Sequence, residues 1–566
     1  MKPFRYFFAS CLLWVSSLAD AEIYSGPASV AARSRSDWSR FLDQATFGPR
    51  SVEIDSWAMR DLASWIAGQG LQRPTLFIPL PVYPANVAQG CPGSGTDYSN
   101  CVRDNYSMYP LQVQFFKNAL GAEDQLRQRV AYALSQILVV SGVKIRQPSS
   151  MVPYLNLLVQ GALGNFRDLL ESITLNPAMG QYLDMVNSDP ASSNGVVKPN
   201  ENYAREVLQL FSIGINRLNS DGTLAKDAAG LPIPNYSQET IEAFARAFTG
   251  WTYATLTGAT PIRHNPQNFQ SPMEIYRVNG KDQNHDHNAK HLLDYSGAVS
   301  GDLPANQDAQ LDMKGALDNI FNHPNVGPFI GKQLIQHLVT SNPSPAYVQR
   351  VTSVFNDNGQ GVRGDLFATV TQILLDPEAR GQPSTDFGKY REPVLFVTAF
   401  LRALYATSDG VLNSITLAMG QDVFRAASVF SEYPHEYTVP GTTLQGPEFG
   451  LASSSALIAR ANFINTFTYS KINSAITTTP TSNIGTLISF DALDLIGSHS
   501  DPNELIDYLN TYFLHDAMSP NMRAIIAGSS ALACTKRQDG TCSNGRSRAQ
   551  AALYLVATSA QYNIQR

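Results

Sequence analysis

Apolar residues along this chain recur mostly at helical spacing. In "SDWSRFLDQATFG" Trp38, Phe41, Leu42 and Ala45 form one stripe, between a Ser/Asp start and a stop at Gly48. In "EDQLRQRVAYALSQILVVSG" the stripe is Leu126, Val130, Ala131, Leu134, Ile137 and Leu138, closing at Gly142. "SQETIEAFARAFTGW" sets Ser237 three residues before Thr240. It carries Glu239 and Glu242 near its start, where the helix dipole favours negative charge, and ends at Gly250. "PAYVQRVTSVFNDNG", "REPVLFVTAFLRALYA" and "NELIDYLNTYFLH" behave alike. No regular run of alternating residues marks a sheet. The pattern predicts a mainly α protein, one large helical domain with long irregular loops. Residues 80–110, 185–200, 216–236, 252–310 and 430–450 lack periodicity, and connections that long are usually functional or mobile. "FRDLLESITLNPAM", "GDLFATVTQILLDPEA" and "RAQAALYLVATSAQY" reuse one helix-then-turn unit at unequal spacing, which is not a solenoid repeat.

Composition fits a globular protein with a large core: 566 residues, 43% hydrophobic and 16% charged. A formal charge of −6 without a long basic run points away from nucleic acid as a partner. At the N-terminus Lys2 and Arg5 precede an apolar run over 6–18 and the small-x-small triplet Ala19-Asp20-Ala21. This predicts a signal peptide over 1–21, a mature domain over 22–566 and a periplasmic or secreted location. Cleavage after Ala21 is favoured over lipidation at Cys11, which has few apolar residues before it. The apolar run is too short to span a bilayer and nothing later qualifies, so no transmembrane segment is expected in the mature chain. Four cysteines remain, as local pairs around turn-rich loops: Cys91 with Cys101, and Cys534 with Cys542. Two loop-closing disulfides are the simplest pairing; the spacings suit zinc badly.

Chemistry concentrates in two stretches. "NENYARE" (200–206) opens an apolar helix with polar groups, and Asn200 suits the N-cap. Glu201 and Arg205 are four apart, as are Asn202 and Glu206, so each pair shares a face; Asp184 ends the preceding helix. Carboxylates arranged around one arginine can have split pKa values, as acid/base catalysis needs. The same pattern fits a salt-bridge lattice that pins two helices. "HDHNAKH" crowds His285, Asp286, His287, Lys290 and His291 into one loop; it offers metal ligands, or a lysine for an anionic group. Two weaker stretches are "YREPVLF", read as a helix cap and ion pair, and "SEYPHEY", whose Glu432, Tyr433 and His435 could line a sugar cleft or lie on the surface.

These stretches together resemble the bacterial secreted family described as domain of unknown function 1800. The resemblance is carried by "RFLDQATFGPR", "LRQRVAYALSQILVVSG", "NPAMGQYLD", "NENYAREVLQLFSIG", "ARAFTGW", "HDHNAKHLLD", "REPVLF", "GPEFGLASSSALIARANFI" and "ALYLVATSAQYNIQR", in the family's order over nearly the whole mature chain. It maps the family's polar motif onto Glu201, Asn202, Arg205, Glu206, His285, Asp286 and Lys290. His287 and His291 fall at variable positions, and Asp294 stands where relatives usually carry glycine. The resemblance implies a secreted helical protein, often beside a sulfatase-like partner of the cell envelope. It names no reaction and no cofactor; the partner points by association to an anionic polymer. The expectation is a hydrolase acting on a polysaccharide, with Glu201, Arg205, Glu206 and Asp184 catalytic and Asn202, His285, Asp286 and Lys290 holding substrate. The rival expectations are a non-catalytic envelope binding or assembly protein, and a metal-dependent enzyme using His285 and Asp286. The 201–206 face is expected to line the main pocket.

Overall fold

The computed structural model describes residues 33–384, 386–469 and 485–566. The expected signal peptide over 1–21 lies outside the described residues. Helix starts appear close to where the sequence places them. Ser34 Oγ accepts from the Asp37 N–H, and Asp37 accepts from the Ser34 N–H. This capping box starts the first helix, Arg35–Ala45, slightly upstream of the Ser/Asp signal. Ser237 and Thr240 form the same device at the Gln238–Ala247 helix. The Pro345–Asn356, Pro393–Ala403 and Pro502–Leu514 helices each carry proline in the first turn, where its missing N–H costs nothing. Gly48 does more than stop a helix. Its φ is +128°, and a Cβ there would stand 2.4 Å from the Ala399 Cα. The turn therefore needs glycine on two grounds, conformation and close packing.

The described chain holds 24 α-helices and five two-stranded antiparallel pairs, each strand two residues long. The architecture is mainly α, as the periodicity predicts. Two expected loops need correction. Residues 80–110 contain a helix, Gly95–Asn105, none of whose side chains is buried, so it has no apolar stripe to betray it. Residues 252–310 contain most of the strand pairs.

One apolar core runs from Trp38 to Tyr562. The C-terminus closes back on the middle of the chain, where Ile564 pairs with Tyr390 and Gln565 with Lys389. Beside this pair, the buried Arg391 donates to Asp43 Oδ1 at 2.7 Å and so joins the first helix to the same region. Both disulfides form as expected, Cys91–Cys101 and Cys534–Cys542, with Cα separations of 5.7 and 5.2 Å. Their sulfurs are bonded to each other, which removes zinc as their role. For the candidate site, the placement that matters is local. The Pro148–Gly161, Phe166–Thr174 and Pro177–Tyr182 helices pack together, and Asn202–Gln209 packs on Gln238–Ala247.

Candidate functional site

The Asn202–Gln209 helix turns Tyr203, Ala204, Val207 and Leu208 into the core. Tyr203 is anchored there by a 2.6 Å hydrogen bond with Thr174 Oγ1. The 3.6-residue period then leaves Asn202, Arg205 and Glu206 on the outer side. Glu201 is the formal N-cap, but Asn200 does the capping: its Oδ1 accepts from the Asn202 N–H at 2.9 Å. Asp184 follows the Pro177–Tyr182 helix in a left-handed conformation, φ +55°, where Asp is among the few tolerated side chains. This turn brings its carboxylate to Asn202, whose Nδ2 donates to it at 2.9 Å. Lys144 donates to the other Asp184 oxygen at 2.6 Å, and to the Tyr182 carbonyl at 3.0 Å. Glu201 accepts from Arg205 Nη2 and from Gln238 Nε2, both at 2.8 Å.

Glu206 differs from its neighbours. It is half-buried, and no hydrogen bond reaches its carboxyl among the described residues; one oxygen is enclosed with no partner. Burial pushes its pKa above the usual carboxylate range, and the charge of Arg205 only partly opposes this. Two tyrosines feel the same carboxyl. Burial, with the Glu206 charge second, pushes the Tyr182 phenol up to about 12. Tyr236 also rises to about 12, mainly through burial, and its hydroxyl is likewise enclosed without a partner. The face thus holds one carboxyl inclined to keep its proton beside two carboxylates held in ion pairs, Asp184 and Glu201. Of the sequence-predicted residues, Glu201, Asn202, Arg205, Glu206 and Asp184 do assemble.

The His285–Lys290 loop is a different object. His285 Nε2 bonds Asp312 Oδ2 at 2.9 Å, and Lys290 Nζ meets the same oxygen at 2.6 Å. Gln307 donates to the other Asp312 oxygen at 2.7 Å. The side chains of His285, Lys290 and Asp312 have no exposed area. Burial raises the Asp312 pKa, but bonds from His285 and Lys290 outweigh it and the net shift is downward. Lys290 also donates to the Asn288 carbonyl at 2.9 Å. Asp286, 5% exposed, accepts from the Asn288 N–H and faces Arg246 Nη1 at 3.7 Å. Substrate contact is the expectation for His285, Asp286 and Lys290; in the structure the His285 and Lys290 side chains have no exposed area and bond within the protein, and Asp286 is nearly enclosed beside them. No group of three metal-ligating side chains converges among the described residues. Gly250 allows the loop to dock, since a Cβ at its φ of +90° would meet the Asn284 carbonyl at 2.9 Å.

The main-pocket expectation also changes. None of Glu201, Arg205 and Glu206 lines the cavity of about 540 Å³ that lies between the Pro148–Gly161 and Phe166–Thr174 helices and residues 270–272. Sequence reasoning missed Lys144, Tyr236 and Asp312, which come from separate segments with no local motif, and passed over Tyr182 inside "NPAMGQYLD". It also underrated "YREPVLF" and "SEYPHEY". Glu392 is fully buried, and its Oε2 accepts from Tyr132, Gln421 and Tyr433 at 2.9, 2.7 and 3.1 Å. In front of this cluster lies a cavity of about 30 Å³ whose lining includes Glu432. Burial, then the charges of Asp422 and Glu392, pushes Glu432 up to about 8.

Fold and site together define a large helical protein with a carboxylate-rich, half-open polar face. The chain belongs to the family described as Protein of unknown function (DUF1800), whose sequence model matches residues 40–564. No curated protein and no solved structure matches it.

Proposed function

We propose that this protein is a hydrolase acting on a polysaccharide outside the cytoplasm, with Glu206 as the general acid. The observation that carries this reading is the Glu206 carboxyl, desolvated and unpartnered on a face that solvent reaches. A proton held above the usual carboxylate range is what protonation of a glycosidic oxygen requires. Glu206 gives its proton to the leaving oxygen and the bond from the anomeric carbon breaks. Water adds to that carbon, and Asp184 or Glu201 takes its proton. Arg205 opposes the rise of the Glu206 pKa and anchors Glu201, while Asn202 offers its amide to sugar hydroxyls. Tyr182 and Tyr236 supply ring faces beside the acid.

Extracytoplasmic location belongs to the same reading. Both disulfides close locally, and such bonds persist in oxidising compartments. No helix among the described residues is long and apolar enough to cross a membrane. A sulfatase-like envelope partner belongs to the same reading, and co-purification from envelope fractions tests that association.

One observation favours a second reading, a non-catalytic envelope binding or assembly protein. Lys144–Asp184–Asn202 and Glu201–Arg205–Gln238 satisfy one another, as a structural clamp does. A reducing-end assay of purified protein on cell-wall and algal polysaccharides, with and without chelator, separates the two. New reducing ends that Glu206→Gln abolishes support the hydrolase. Saturable binding without new ends supports the binding protein.

A further inference from the structure

We propose that the 540 Å³ groove holds further sugar residues of the polymer that reaches Glu206, and that this polymer is neutral or amine-bearing rather than anionic. The inference rests on the hydrolase reading for its polymer, and on the groove itself for the polymer's charge. The groove has the volume of a ligand site. Asn176 and Pro177, at the start of the Pro177–Tyr182 helix, line it; Tyr182 and Asp184 stand at the helix's other end. Six residues at 1.5 Å each separate the two by about 9 Å. The ground between them is bridged. The Tyr253 hydroxyl donates to Gln181 at 3.1 Å, the Tyr253 ring meets Phe269 edge-on at 5.5 Å, and the next residue, Gln270, lines the groove.

The lining alternates apolar surface, from Leu157, Leu175 and Pro272, with side-chain amides, hydroxyls and carboxylates. That mixture suits a pyranose, which presents C–H faces and a rim of hydroxyls. A peptide would call instead for a free strand edge or a continuous apolar trough, and no strand lines this groove. Charge then selects among glycans. Asp168 is exposed and has no ion pair or hydrogen-bond partner among the described residues. Glu171 shares Arg167 with Asp318, at 2.8 and 2.7 Å, so one cation serves two carboxylates. The groove is net negative. A sulfate or uronate ring there would face like charge, whereas a hydroxyl or ammonium would find an acceptor. This reverses the anionic polymer that the sulfatase-like association implied.

The test uses the full mature chain carrying Glu206→Gln as a non-turning probe, with calorimetric titration of equal-length oligomers of a neutral β-glucan, chitosan and a sulfated galactan. The neutral or chitosan oligomer should bind and the sulfated one should not. Asp168→Lys should weaken chitosan binding by about tenfold, the scale of one charge-assisted contact. Asp168→Asn controls for folding, with melting temperature followed for both. Equal affinity for the sulfated oligomer, chitosan binding unchanged by Asp168→Lys, or binding of none of the three oligomers would each overturn the proposal. The two readings fail separately. Full turnover by Glu206→Gln removes the acid but leaves the groove; turnover lost in Glu206→Gln with chitosan binding unaltered by Asp168→Lys removes the groove but leaves the acid.

Discussion

At the residue scale, burial separates side chains that look alike in sequence. Glu201 and Glu206 both lie near Arg205, yet only Glu206 is desolvated without a hydrogen bond. Glu206→Gln removes a charge that the fold disfavours and keeps the shape. Its melting temperature should stay within a few degrees of wild type, read by calorimetry near neutral pH, while turnover is lost. Glu432 gives a sharper pH signature. Its carboxyl titrates near 4.5 when exposed and at about 8 in the fold, so the native state binds the extra proton between those values. Stability therefore falls as pH rises through that window. Glu432→Gln should melt with wild type below pH 4.5 and above it by pH 8. Because Glu432 retains some exposure, the gain should be on the order of 1–3 kcal/mol rather than the full shift. Parallel curves across the range would refute the assignment. Asp43 has the opposite sign. Burial raises its pKa, but Arg391 and His515 overcome this and hold it at about 2. Its ionised form stabilises the fold above pH 3.8, and that contribution fades as pH falls toward 2. The advantage of wild type over Asp43→Asn should be flat near neutrality and shrink by about 2 kcal/mol between pH 4 and 2, followed by urea unfolding.

Elements differ in what their ion pairs are worth. The Asn202–Gln209 helix carries a pair open to water: the Arg205 side chain is 39% exposed and Glu201 29%. Exposed pairs contribute little, so Arg205→Ala should cost about 1 kcal/mol or less. The 285–290 loop relies on a sealed pair. Lys290→Met would remove the cation beside the buried Asp312 carboxylate, leaving it, among the described residues, with His285 and Gln307. That loss should be about 3–5 kcal/mol by chemical denaturation. Comparable costs for the two variants would undo the distinction between open face and sealed clamp. The contrast also explains why both strings read as sites: each needs charged residues at short spacing, but one uses them outward and the other inward.

Across the whole molecule, the apolar core and the Ile564–Gln565 pair with Lys389–Tyr390 bind distant segments into one body. The two disulfides contribute more locally, each closing a short loop and adding about 2–3 kcal/mol in the chain-entropy picture. Peptide mapping without reductant should recover Cys91–Cys101 and Cys534–Cys542, and N-terminal sequencing of exported protein should begin at Glu22. A bridge between the two cysteine regions would contradict the structure.

The sequence by itself determined what depends on neighbours in the chain. Stripes at period 3.6 located helices such as Arg35–Ala45, Gln125–Ile137 and Gln238–Ala247, and Ser237 with Thr240 marked a helix start. The four-residue step paired Glu201 with Arg205, and cysteine spacing gave both disulfides. Each is set by a few consecutive residues, and backbone geometry makes such spacings legible. Tertiary structure alone decided which polar groups meet water. His285 and Lys290 are enclosed where Asp312 reaches them from the Ala309–Phe321 helix. Asp184 reaches Asn202 through a left-handed turn, and Lys144 joins it from 40 residues upstream. Glu206 stands apart because nothing among the described residues bonds it, and that is a property of the packed molecule, not of any short stretch of sequence.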